Sequence, residues 1–220
     1  MSQNGHVTFS EHLPTPAEMP VEEAAAALDA RDAVDLARSH LYAMLAVLFA
    51  RSPTPATLAA LASVEGGQGA LGAACRALAA KAAVAAPDAL EREYFNLFIG
   101  VGRGELVPYG SYYLTGFLQE KPLARLRQDL GELGIERLPG LGEFEDHIAV
   151  LCEILSGLAD GRFGTPEGAD ERFFARHLQP WGARFFADVE AAKAADFYKL
   201  VAAVGRALMA IEAEASDRAA

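Results

Sequence analysis

Residues 33–50 read Ala-Val-Asp-Leu-Ala-Arg-Ser-His-Leu-Tyr-Ala-Met-Leu-Ala-Val-Leu-Phe-Ala. Alanine and leucine dominate the stretch, and both favour helix. Leu41, Met44, Leu45 and Leu48 recur at the spacing of one broad helical face. Ser52-Pro53 and Thr54-Pro55 stop this helix and start another, because the fixed φ of proline suits a first turn. Val64 to Gly72 holds four glycines and reads as a loop. A further helix is expected from there to about Ala85.

The same reading extends along the chain. Asp88 stands as an N-cap with Glu91 as its capping-box partner. Leu90, Tyr94, Leu97 and Phe98 form the apolar stripe that follows, and Gly100 is a natural C-terminal stop. Ser111 caps a helix to about Glu120, and Pro122 opens the next, ending near Gly134. The loop Leu138 to Gly142 leads into a helix to about Ala159. Others are expected at 167–178, 181–192 and 195–214. The sequence therefore predicts an all-α fold, a compact bundle of nine or ten helices whose short connections favour packing between sequence neighbours. Residues 1–20, with Pro14, Pro16 and Pro20, read as a loose leader, and 21–220 as the helical domain.

Composition narrows the function classes. The 220 residues carry a net charge of −11, with 52% hydrophobic and 22% charged residues. An acidic surface repels phosphate backbones, which argues against general nucleic-acid binding, and attracts a cationic partner. Cys75 and Cys152 are too few and too far apart for a disulfide framework or a cysteine-rich zinc site. The N-terminus lacks the basic start and apolar run of a signal peptide. The uninterrupted apolar run Leu41 to Ala50 is too short to cross a bilayer. These features lead to the expectation of a cytoplasmic protein without stable membrane insertion.

Three stretches carry candidate chemistry. Gly100-Val101-Gly102-Arg103-Gly104 resembles a phosphate loop. However, Glu105 stands where the dinucleotide fingerprint needs its last glycine, no strand precedes it, and Gly-Lys-Ser/Thr is missing. Glu143-Phe144-Glu145-Asp146-His147-Ile148, read as the start of a helix, places Glu143, Asp146 and His147 on one face at i, i+3 and i+4. Val150 and Ile154 extend that face, while Phe144, Ile148, Leu151 and Leu155 turn to the core. No lysine or arginine lies between Leu141 and Asp160, so this face could hold arginines beside an apolar peptide. Equally, the acids could serve the helix N-terminus while His147 bonds to backbone. Glu143 and His147 have the spacing of two metal ligands, but HExxH and an obvious third ligand are missing. The third stretch is aromatic. His177 and Trp181 lie at the Pro180 junction among Phe173, Phe174, Phe185 and Phe186. Tyr109, Tyr112 and Tyr113 flank Ser111. Both groups suit a recognition surface or a core.

Four blocks, in order, resemble the TorD/DmsD/NarJ family of redox-enzyme maturation chaperones. Tyr94-Phe95-Asn96-Leu97-Phe98-Ile99-Gly100 is similar to its Y-x-x-L-F-x-G block, and Pro108-Tyr109-Gly110-Ser111-Tyr112 to its P-x-x-S-x-Y/W block. Glu143-Phe144-Glu145-Asp146-His147 is similar to its E-P-x-D-H signature, with Phe144 in place of the proline. Phe174 to Trp181 is similar to its F-x-x-H-L-x-P-W block. The resemblance implies an all-helical, non-enzymatic, cytoplasmic protein. Such a protein binds the twin-arginine signal peptide and apoprotein of a molybdenum-cofactor oxidoreductase, and delays export until the cofactor is inserted. The family includes members that bind GTP weakly and members that form domain-swapped dimers, so monomer and swapped dimer both remain open, and no other cofactor is implied. On this reading Glu143, Glu145, Asp146, His147, Tyr109, Ser111, Tyr112, His177 and Trp181 form the peptide site. The alternative from the residues is a small nucleotide-binding or hydrolytic enzyme using the 100–104 loop and Asp146/His147.

Overall fold

The computed structural model describes residues 21–136 and 142–219, with side chains from 32 to 216 within that range. The expected leader at 1–20 and the loop at 138–141 lie outside the described residues. The alanine-rich stretch begins earlier than expected and runs as one long helix, α1 (Val21–Ala50). There follow α2 (Pro55–Ala62), α3 (Gly69–Ala82), α4 (Pro87–Tyr94), α5 (Gly110–Thr115) and α6 (Lys121–Glu132), then α7 (Ile148–Ala159), α8 (Ala169–Phe173), α9 (Gly182–Ala191) and α10 (Phe197–Ala219). Ten α-helices are thus described and the fold is all-α, as the composition leads one to expect. Among the described residues the only strand-like feature is an isolated antiparallel bridge between Tyr109 and His147.

Two helices end in a wider turn. α4 continues as a π turn over Phe95–Ile99, closed by the Gly100 amide on the Phe95 carbonyl at 2.7 Å. α8 continues likewise over Phe174–Leu178, closed by the Gln179 amide on Phe174 at 2.9 Å. Such single π turns let a helix accommodate an extra residue and re-aim the side chains beyond it. Gly100 ends the first at φ +63°, where a side chain would be strained and would also meet the Arg103 carbonyl.

α1 packs along α7, α10 along α9 and α3, and α2 on α3. One buried cluster runs from Tyr42 to Met209, with Phe49, Phe185, Phe186 and Tyr198 at its centre. The C-terminal carbonyls of α1 have no partner within the helix. Tyr94 donates its hydroxyl to the Phe49 carbonyl at 3.1 Å, and Tyr198 donates to Leu48 at 2.9 Å. Arg38 joins three helices: its guanidinium grips both Glu212 oxygens at 2.7 and 2.8 Å and donates to Asp170 at 2.8 Å. The segment Asp32–Ala50 is long and apolar enough to span a membrane by length and composition. Here its Tyr42, Leu45, Leu48 and Phe49 belong to the core.

Several expected caps are placed differently. Pro87 opens α4 after Ala86, so Asp88 sits in the first turn rather than at the cap. Ser111 lies inside α5, which Tyr109 precedes. The Glu143–His147 stretch is not helical. α7 begins at Ile148, His147 is its N-cap, and Glu143 to Asp146 form the turn before it. The i, i+3, i+4 face therefore does not exist, and a different geometry brings these residues together.

Candidate functional site

The site is built where two distant loops lie against each other. Extended backbone at Tyr109 pairs with extended backbone at His147. The Gly110 amide donates to the Asp146 carbonyl at 2.9 Å, and the Ile148 amide donates to the Pro108 carbonyl at 2.9 Å. This pairing requires His147 to be extended, which is why the helix cannot start at Glu143. The cap is completed by His147 itself, whose Nδ1 accepts the Ala149 amide at 3.1 Å. That contact requires an unprotonated Nδ1. Burial pushes the imidazole down to about 4, against the opposing pull of Glu143 and Asp146. The Tyr109 ring meets the His147 ring edge-to-face, 4.9 Å between centroids.

Asp146 is the centre of the arrangement. Its Oδ2 accepts the Ser111 amide at 2.8 Å, while its Oδ1 is buried and has no hydrogen-bond partner. The Ser111 Oγ is buried and unpartnered as well. A cleft of about 180 Å³ opens at this point, lined by Gly110, Leu114, Arg125, Asp146, Arg176 and His177 among others. His177 reaches Asp129 Oδ2 through Nε2 at 2.6 Å, and Arg176 reaches the same oxygen at 3.1 Å. Burial lowers the His177 pKa, with Asp129 pulling the other way. Gly110 packs closely, since a Cβ there would stand 3.0 Å from the Trp181 indole nitrogen and the indole would have to shift. That nitrogen donates to the His177 carbonyl at 2.8 Å, satisfying one of the carbonyls left free at the end of the π turn.

The expected site residues therefore divide. Tyr109, Ser111, Glu143, Asp146 and His147 come together across the bridge, with the Tyr109 hydroxyl donating to Glu143. His177 lines the cleft beside Asp146, and Trp181 sits behind Gly110 in the core. Glu145 turns away, its carboxylate held by Arg127 at 2.8 and 3.0 Å. Tyr112 lines a different cleft, which shares Leu114 with this one. Asp129, Arg125 and Arg176 share the site and were not expected from the sequence. All three are charged residues on otherwise ordinary amphipathic helices, and no local signal separates them from a solvated face. Ser111 Oγ and His147 make no hydrogen bond to each other, so no hydroxyl–imidazole–carboxylate relay is present. Among the described residues no group of three His, Cys, Asp or Glu side chains gathers as a metal set.

Fold and site together define an all-α protein that holds a buried carboxylate between two back-to-back loops. The chain belongs to the nitrate reductase delta subunit family, the TorD/NarJ family, whose model matches residues 65–187. A chaperone protein TorD of Vibrio cholerae serotype O1 is 30% identical over 101 residues, covering 42% of this chain and 46% of that one. A chaperone protein TorD of Shewanella loihica is 28% identical over 137 residues, covering 57% of this chain and 62% of that one. The chain thus spans about half the length of the curated relatives it matches. A solved structure described as a redox enzyme maturation protein from Archaeoglobus fulgidus shares the fold. Its TM-score is 0.53 at 23% identity, covering 79% of this chain and 93% of that one.

Proposed function

We propose that this chain is a cytoplasmic maturation chaperone without turnover of its own. It binds the twin-arginine signal peptide and apoprotein of a molybdenum-cofactor oxidoreductase and delays export until the cofactor is in place. The observation that carries this reading is the Asp146 Oδ1, a buried carboxylate oxygen with no partner at the head of a cleft. A buried charge without its hydrogen bonds is costly, and a guanidinium supplies planar paired donors that match a carboxylate. Glu143, exposed beside Tyr109 and lining a separate cleft with Arg51 and Glu153, offers a second carboxylate. Arg176 is already neutralised by Asp129. Arg125, exposed on the cleft wall, makes no bond to Asp146 and leaves the Oδ1 open to an incoming guanidinium. Leu114, Phe117 and Leu118 leave large apolar surface exposed at and just beyond the cleft and take the peptide's apolar segment.

Magnitudes set the division of labour. A micromolar complex requires about −8 kcal/mol. Charge pairs near the surface supply roughly 0–1 kcal/mol each, so apolar burial, at roughly 25 cal/mol per Å², provides much of the rest. Calorimetric titration with twin-arginine signal peptides and their twin-lysine counterparts tests the reading. Micromolar binding to one arginine peptide, weakened by lysine, supports it, because lysine is a point charge without the planar fork. Equal binding of both, or of neither, refutes it.

A further inference from the structure

We propose that Asp129 is a positioning residue that holds Arg176 away from Asp146, and so keeps the Asp146 carboxylate open to a peptide arginine. This deepens the peptide-binding reading above and rests on it. Arg176 and Asp146 line the same cleft of about 180 Å³, yet Asp146 Oδ1 is buried without a partner. An arginine sharing so small a space with a buried carboxylate oxygen ordinarily pairs with it, because a charge-assisted bond relieves the desolvated acceptor. Arg176 instead reaches Asp129 Oδ2 at 3.1 Å. Its place in the fold allows either partner. Arg176 also lines a second cleft, about 220 Å³, together with Asp129, Glu132, Arg172 and Phe173.

Asp129 stands at a fixed place, since its neighbours on α6, Leu126 and Leu130, are buried. One of its oxygens takes both basic side chains of the second π turn, His177 Nε2 at 2.6 Å and Arg176 at 3.1 Å. The two are held unequally. The His177 ring also packs on Phe173, 4.8 Å between centroids, and its carbonyl accepts the Trp181 indole N–H at 2.8 Å. The Arg176 side chain is 58% exposed, and its anchor is Asp129. A neutral residue at 129 therefore leaves His177 in place and frees Arg176. Two nearby carboxylates then compete for it. Glu132 is exposed, where water screens the attraction, and it already accepts the Gln128 amide at 3.0 Å. Asp146 is 3% exposed and has an oxygen to spare, so its attraction is the stronger. Arg176 would then occupy the position that the peptide guanidinium needs. Arg125, the other arginine of the cleft, is exposed and makes no bond to Asp146 even now.

Two readouts on the full-length protein test this, the first without peptide. The Arg176 Nε–Hε resonance in NMR reports the partner of that guanidinium. Asp129→Asn, which keeps an acceptor for His177, should move it, and adding Asp146→Asn should move it again. A resonance indifferent to Asp146→Asn in the Asp129→Asn background overturns the proposal. The second readout is calorimetric affinity for the twin-arginine signal peptide. Asp129→Asn should weaken binding about fivefold, the worth of one partly exposed ion pair. Adding Arg176→Gln should restore the parent affinity, whereas adding Arg125→Gln should not. Damage to the fold alone would not be repaired by removing a second side chain. Arg176→Gln by itself, at an exposed position, should bind at least as tightly as the parent. Failure of the restoration, or weaker binding by Arg176→Gln alone, also overturns the proposal. A parent that binds no peptide refutes the signal-peptide reading, and the resonance then still decides whether Asp129 holds Arg176 off Asp146.

Discussion

The Ser111 amide donates to Asp146 Oδ2 at 2.8 Å across 35 residues of sequence, and this one bond fixes which carboxylate oxygen faces the cleft. Replacing Asp146 by Asn keeps an acceptor for Ser111 and removes the charge. Asp146→Asn is expected to melt within a few degrees of the parent, because a neutral hydrogen bond is worth only about 1 kcal/mol. It should lose about tenfold or more in signal-peptide affinity. Paired calorimetry and thermal melts decide this. A variant that binds as tightly as the parent sinks the carboxylate's role.

His147 gives a pH prediction. Its folded-state pKa, about 4, lies below the ordinary value of 6.5. The unfolded chain therefore binds the extra proton first as pH falls. The stability contributed by the neutral, capped imidazole is present above about 6.5, is lost as pH drops from there toward 4, and levels off below. The full effect is on the order of 3 kcal/mol. Urea titrations at intervals between pH 7 and pH 4 should show this slope. His147→Asn, which retains a capping acceptor, should flatten it. The carboxylates whose pKa values are lowered, Glu105 and Asp160, act in a separate window, at and below their ordinary values of 4.5 and 3.8.

Glu93, on α4, caps a helix other than its own. Its carboxylate accepts the amides of Asp196, Phe197 and Tyr198 at 2.8, 3.2 and 2.8 Å, the first donors of α10. Those donors have no intrahelical partner. Glu93→Ala should cost about 1–3 kcal/mol in equilibrium unfolding, with Glu93→Gln intermediate. No measurable change in either would show that water replaces the carboxylate.

Alanine in place of a helical glycine ordinarily stabilises by up to about 1 kcal/mol. Two glycines here should part company. At Gly205 in α10 a Cβ would overlap the ring of Phe186, which is fully buried and has nowhere to move. Gly205→Ala is expected to destabilise by about 1–3 kcal/mol. At Gly157 in α7 the obstruction is Phe163, whose ring is 38% exposed and can swing into solvent. Gly157→Ala should therefore cost less than about 1 kcal/mol. Similar unfolding midpoints for the two variants would contradict the packing argument.

The helical architecture was legible because its punctuation is local. Pro55, Gly100 and Pro122 mark boundaries through their own φ and hydrogen-bonding limits, and the structure places breaks at each. Of the candidate residues, Tyr109, Ser111, Glu143, Asp146 and His147 gather across the bridge while Glu145 and Tyr112 lie apart, and that geometry was not legible. The acids at 143–146 read as a first helical turn, yet a bridge to Tyr109, 38 positions earlier in sequence, holds the backbone extended. One local clue existed. His147 is the last polar residue before the unbroken apolar run Ile148-Ala149-Val150-Leu151-Cys152, which is where a cap belongs. Glu93 and Glu105 had no such clue, because each satisfies backbone donors about a hundred residues away.

That bridge also sets when the protein becomes competent during its synthesis. The loop carrying Ser111 emerges from the ribosome well before the turn carrying Asp146, and both are braced by the segment carrying His177 and Trp181. The helix after Trp181, α9, in turn rests on α10, which runs to Ala219. No partial product contains the assembled cleft. An unfinished chain presents its acids on unanchored loops, and the cleft with its buried carboxylate is complete only once nearly every residue has been translated.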